Sequence, residues 1–225
     1  MTWLQKILSW LGLRNGKTAE RQQLEEKVSR FPQISRWVVD PTHTTVGFRV
    51  MHMGLSEVRG RFRRYTAEVK GSSPAFTDLQ ISAQIEVGSI ETDLPARDIH
   101  LRSADFFDAE RYPYITFRST AVRWRPLRRF ILEGELTIKG ITRPIQLEGE
   151  LKGLVFSDIV GHPRASFALR GELDRRQWGL TWHMETQDGS IVVDNTVVLE
   201  IEAEITTPDG MEALRQALAQ MGLQI

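Results

Sequence analysis

Cysteine is absent from this chain. Disulfides, Cys-ligated zinc, iron–sulfur clusters and thiol nucleophiles are excluded with it. Charge of one sign is also missing, since 29 Lys and Arg stand against 29 Asp and Glu. A face built for phosphates normally leaves a basic surplus, so nucleic acid is not an expected partner. No apolar stretch approaches the roughly 18 residues that a spanning helix needs. At the N-terminus, Lys6 and Ser9 interrupt the apolar run, and Arg14-Asn15-Gly16-Lys17 follows where a small-residue cleavage site would belong. No export signal is read there, and the expected location is cytoplasmic, peripheral to a membrane at most. A Gly-x-Ser-x-Gly nucleophile elbow is missing too. The five His show neither His-x₃-His nor His-Glu-x-x-His spacing. Asp98-x-His100 with Asp105 is the nearest approach to a ligand set, and hydrogen bonding and loop capping account for it as well. No metal, no cofactor and no catalysis are expected.

What is present is a chain of 225 residues, 41% of them hydrophobic, enough for one large domain or two small ones with a sizeable core. Its hydrophobic period changes twice. Trp3, Leu4, Ile7, Leu8 and Leu11 recur at helical spacing, which predicts a short amphipathic helix over 1–13 ended by Asn15-Gly16. A solvated linker helix follows over 18–30, where Leu24 and Val28 are the only large apolar residues. From Trp37 to about Ile205 the period is two. Val46, Phe48 and Val50 alternate with Thr45, Gly47, Arg49 and Met51, and Leu79, Ile81, Ala83, Ile85 and Val87 repeat the pattern. Phe130 to Ile138 and Ile141 to Leu151 flank Lys139-Gly140 as a hairpin. Roughly eight strands with one wet and one dry face predict an all-β antiparallel barrel or sandwich. Residues 97–108 break the rhythm and are read as a short helix or structured excursion. After Pro208-Asp209-Gly210, the spacing of Met211, Leu214, Leu218 and Met221 predicts a C-terminal amphipathic helix capped by Asp209. The expected division is 1–36, 37–207 and 208–225.

Several of these runs together resemble the YceI-like polyisoprenoid-binding family. They are Asp40-Pro41-Thr42-His43-Thr44, Val46-Gly47-Phe48, His52-Met53-Gly54 and Val58-Arg59-Gly60, then Arg97-Asp98-x-His100-Leu101-Arg102-Ser103-x-Asp105-Phe106-Phe107-Asp108. Tyr112-Pro113, Phe117-x-Ser119-Thr120, Gly134-x-Leu136-Thr137-Ile138-x-Gly140-x-Thr142-x-Pro144, Thr181-Trp182 and the strand closing at Glu204 complete the match in order over 37–205. The chain departs at Gln177, where the family usually carries an acidic residue before the aromatic that is Trp178 here. The resemblance implies a lipocalin-like barrel, without catalytic residues, that holds an isoprenoid chain (often a quinone tail) in an apolar channel. It also implies that a homodimer is possible.

Strand parity and this resemblance nominate Val46, Phe48, Val50, His52, Phe62, Leu132, Leu136, Trp178, Leu199 and Ile201 as pocket residues. Arg97, Asp98, His100, Arg102, Phe106 and Phe107 are nominated at the mouth or its loop. His52 either finds a hydrogen-bonding neighbour or meets a ligand headgroup. The same two readings hold for Arg97, Asp98, His100 and Arg102. Gly134, Gly149 and Ala203 at inward positions are expected to leave free volume. The expected function is non-catalytic binding, storage or transport of an isoprenoid lipid, with transient membrane contact through residues 1–13. The alternatives are a filled structural barrel acting through its terminal helices, and a lipid-modifying enzyme using Asp98 and His100.

Overall fold

The computed structural model describes residues 33–72, 76 and 78–223. The helices expected over 1–13 and 18–30 lie outside the described residues. Among the described residues eleven strands form one antiparallel sheet. They are β1 (Arg36–Val39), β2 (Thr45–His52), β3 (Ser56–Phe62), β4 (Tyr65–Lys70), β5 (Gln80–Glu86), β6 (Ile90–Glu91), β7 (Tyr114–Trp124), β8 (Arg129–Ile138), β9 (Ile141–Val155), β10 (Arg164–Asp174) and β11 (Val193–Thr206). Among the described residues two α-helices accompany them, α1 (Pro95–Arg102) and α2 (Pro208–Gln220).

Eight of the strands close a ring in the order β1-β4-β5-β7-β8-β9-β10-β11, with β11 pairing back onto β1. The closure depends on one edge of β11 serving two partners. At its C-terminal end Ile205 and Thr206 pair with Val39 and Val38, whereas Glu202 back to Val193 pair with β2. The ring is thus sealed near the β1 end, and β2, β3 and β6 continue the wall from the other part of β11. Closure removes most free edges, which would otherwise be open to pairing with other chains.

Alternation puts Phe130, Leu132, Leu136 and Ile138 of β8 inside, opposite Gly149, Leu147, Arg143 and Ile141 of β9. A bulge at Thr120 changes the parity of β7. Phe117 and Ser119 oppose Leu136 and Gly134 before it, and Val122 and Trp124 oppose Leu132 and Phe130 after it. One extra residue therefore lets both halves of this long strand turn an apolar side chain inward. Five rings fill the β1 end: Trp37 to Phe76 at 5.3 Å, Phe76 to Phe167 at 5.5 Å, Phe167 to Phe130 at 6.0 Å and Phe130 to Trp124 at 4.6 Å. Both indole N–H groups are satisfied there, Trp37 donating to the Gly71 carbonyl and Trp124 to that of Phe76.

Two expectations are corrected. The cap of α2 is Thr207, whose hydroxyl accepts from the Gly210 N–H at 3.0 Å; Asp209 sits in the first turn instead. Gly134 and Gly149 leave no free volume, because a Cβ at either would fall 2.4 Å from the Phe117 ring or 2.2 Å from the Phe130 ring. The backbone at these glycines is the floor on which a cross-strand ring lies. The apolar face of α2 folds back on its own chain, with Met211 and Leu214 buried on the β1 side and Met221 exposed.

Candidate apolar binding cavity

Inside the ring is a cavity of about 240 Å³ whose walls come from β1 to β5, β7 to β11, α1 and the segment after it. Eight of the ten nominated pocket residues line it: Val46, Phe48, Val50, Phe62, Leu132, Leu136, Leu199 and Ile201. Phe48 and Phe62 lie 5.8 Å apart, and Phe107 meets Phe62 edge-on at 6.1 Å, so three rings from β2, β3 and the α1 loop form one wall. Phe106 and Phe107 line the cavity together with Leu101 of α1.

The other two pocket nominees lie elsewhere. Trp178 is buried and donates its indole N–H to the Leu136 carbonyl at 3.0 Å, which fastens the turn after β10 to β8. His52 ends β2, opposite Ser56 and Val193, and is not in the lining.

The polar mouth nominees are also outside it and hold α1 in place. Asp98 accepts from the Thr92 N–H at 2.9 Å and from its hydroxyl at 2.5 Å. Arg97 donates to the Thr92 hydroxyl and carbonyl, and Arg102 to the Ile90 carbonyl. His100 pairs with Asp105 at 3.0 Å and lies edge-on to Phe106 and Trp182. Asp98 and His100 thus have separate partners rather than forming an acid–base couple.

Parity reasoning left out the wall made by β4, β5 and β7, where Val69, Leu79, Ile81, Ile85, Ile115 and Phe117 line the cavity. The alternation of β5 was visible in the sequence, but nothing local shows that β5 lines the same cavity as β2. Arg175 was also missed, and among the described residues it is the one charged residue in the lining. Its guanidinium turns away to three carbonyls, those of Asp194 at 2.9 Å, Val193 at 3.1 Å and Leu180. Burial is the largest influence on its pKa and lowers it, with Asp174 acting in the opposite direction. Tyr65 likewise donates its hydroxyl to the Thr44 carbonyl at 2.7 Å. Arg175 and Tyr65 therefore use their donors on backbone, and the space within is hydrocarbon in character.

A separate charged cluster lies at the β1 end. Arg164 donates to Asp40, Asp158 and Glu204, and His43 lies 3.0 Å from Asp40. Burial alone would raise the pKa of Asp40; hydrogen bonds from Thr42, Arg164 and His43 reverse this and bring it to about 2. Among the described residues, Asp40, His43 and Glu204 bring three possible metal-ligand atoms together. Arg164 donates to the same Asp40 and Glu204 oxygens, so the carboxylates already have their cation.

A closed antiparallel ring around a slender apolar cavity, filled with rings at one end and crossed by a helix at the other, defines a lipocalin-like barrel. The comparisons agree. The model of the YceI-like domain matches residues 37–205, and the chain belongs to that family. A UPF0312 protein of Staphylococcus aureus is 28% identical over 173 residues, covering 77% of this chain and 98% of the relative. The YceI protein of Campylobacter jejuni is 28% identical in sequence, with a TM-score of 0.61 over 69% of this chain and 88% of that one. BcnA of Burkholderia cenocepacia, at 19% identity, has a TM-score of 0.63 over 74% of this chain and 98% of its own. A polyisoprenoid binding domain from Saccharophagus degradans has a TM-score of 0.56 at 14% identity, covering 78% of this chain and all of that one.

Proposed function

We propose that this protein binds an isoprenoid chain, a polyisoprenoid or a quinone tail, inside the barrel, and stores or transports it without catalysis. The observation that carries this reading is the cavity lining, in which even Arg175 and Tyr65 direct their polar atoms into the backbone. The cavity has the volume of about eight water molecules. A chain segment of about eight methylene-sized groups would contribute roughly 6 kcal/mol from burial, before the cost of ordering it. Shape and hydrophobicity then select the ligand, and the headgroup is left toward α1. The neighbour described as a polyisoprenoid binding domain supports the choice of an isoprenoid over other chains.

Organic extraction of the purified full-length protein, followed by mass spectrometry, tests the proposal. An isoprenoid present near one per chain is the expected result. A protein that extracts clean and takes up no polyprenol from added stock is not a carrier of such chains.

A further inference from the structure

Helix α1 turns Leu101 toward the cavity, but its charged residues also turn inward beside it. Asp98 is buried, and Arg97 and Arg102 are half-buried, all three bonded to Thr92 or Ile90. Its outer surface is apolar instead: Leu94, Pro95, Ala96 and Ile99 are exposed, Ile99 at 67%. Placing charges inward and aliphatic groups in water is unfavourable unless the outer face meets something apolar.

Two other segments at the same end do likewise. The β2–β3 turn lifts Leu55 to 81% exposure, and the segment before β11 exposes Met184 and Ile191. These tips are tied together, since Met53 N–H donates to the Val192 carbonyl at 3.2 Å and Val192 N–H to that of Met184 at 2.9 Å. Trp182 joins them to α1 by packing against His100 at 5.4 Å and Phe106 at 5.2 Å. This is also the end at which Leu101, Phe106, Phe107 and Val193 line the cavity.

We propose that the α1 end of the barrel is a docking face for a lipid bilayer. The inference rests on the proposed function, because a water-insoluble chain passes between bilayer and cavity only where water is excluded along the way. Separate protruding aliphatic tips suit insertion among lipid chains, whereas a protein partner would need a pocket for each. The exposed charges beside them include Asp93, Glu185 and Asp188, so attraction to anionic headgroups does not drive the contact. The opposite end also exposes aliphatic side chains, Ile159 at 92% among them, but five packed rings separate it from the cavity.

The absence of Cys makes the test direct. Leu55→Cys, Ile99→Cys, Met184→Cys and Ile159→Cys in the full-length chain each carry one environment-sensitive fluorophore. Each is mixed with phosphatidylcholine vesicles whose acyl chains are brominated. At least twofold quenching is expected at the first three positions and none at Ile159→Cys. Quenching only at Ile159→Cys, equal quenching at all four, or none at any would overturn the docking face. Joint Leu55→Ser, Ile99→Ser and Met184→Ser substitution should slow uptake of polyprenol from vesicles at least tenfold, with the final bound amount unchanged; an unchanged rate would also overturn it. Extraction of bound chain is read separately, so failure of the carrier reading is distinguished from failure of the docking face.

Discussion

The ring of Phe130 lies on the backbone of Gly149, its partner across the β8–β9 pair, where an added Cβ would fall 2.2 Å from two ring carbons. Phe117 lies likewise over Gly134, diagonally across the β7–β8 pair, where an added Cβ would fall 2.4 Å from the ring. These contacts determine how much of the barrel is ring and how much is cavity. Gly149→Ala should force Phe130 out of place and destabilise the protein by about 1–3 kcal/mol, as overpacking does. Denaturant titration measures it; a variant as stable as the parent would show that the ring relocates freely.

Ala83 lines the cavity from β5, opposite Ala67 of β4. Ala83→Phe should place a ring in the space assigned to the chain. Bound isoprenoid should fall at least tenfold while the far-UV circular dichroism spectrum is retained. Full occupancy in this variant would place the ligand elsewhere.

Asp40 contributes to acid sensitivity. Its folded pKa is about 2, against roughly 3.9 in an unfolded chain. A depressed carboxylate pKa stabilises above the unfolded value, and the contribution is lost as pH falls toward the folded one. Asp40 should therefore contribute about 3 kcal/mol at neutral pH, lost between roughly pH 4 and pH 2. Asp40→Asn should flatten stability against pH in that window. An unchanged acid slope would refute the assignment.

Arg164 is the shared cation of Asp40, Asp158 and Glu204. Arg164→Met should cost about 3–5 kcal/mol, because it leaves the buried Asp40 and Asp158 carboxylates without their cation. The loss should be greatest at neutral pH and shrink on acidification. A loss that stays constant from pH 7 to pH 3 would mean that packing of the side chain, not its charge, is what matters.

Leu214 is buried where α2 returns to the barrel. Leu214→Ala should lower stability by about 2–4 kcal/mol, which thermal unfolding would report. No change would mean that α2 detaches in solution.

The sequence by itself determined the elements and their faces. Strict alternation in β2, β5, β8, β9 and β11 is local, because successive side chains of a strand point to opposite sides, so the dry face and the all-β class are legible residue by residue. The ordered runs from Asp40 to Glu204 were specific enough to indicate the family, which the match over 37–205 shows. Tertiary structure alone decided what those faces enclose. The double partnership of β11, the parity change at Thr120 and the laying of Phe117 and Phe130 over glycines depend on pairings between distant strands, which no local period records. Tertiary contacts also separated residues of similar appearance. His52 and Trp178 share the parity or hydrophobicity of lining residues, yet hydrogen bonds and strand ends place them outside the cavity, while Arg175, which no pattern nominated, becomes part of its wall. In α1 the sequence shows which residues are polar, but only the contacts with Thr92 and Ile90 reveal that the polar side faces inward. Periodicity specifies that two faces differ; which of them meets water depends on what the rest of the chain places against each.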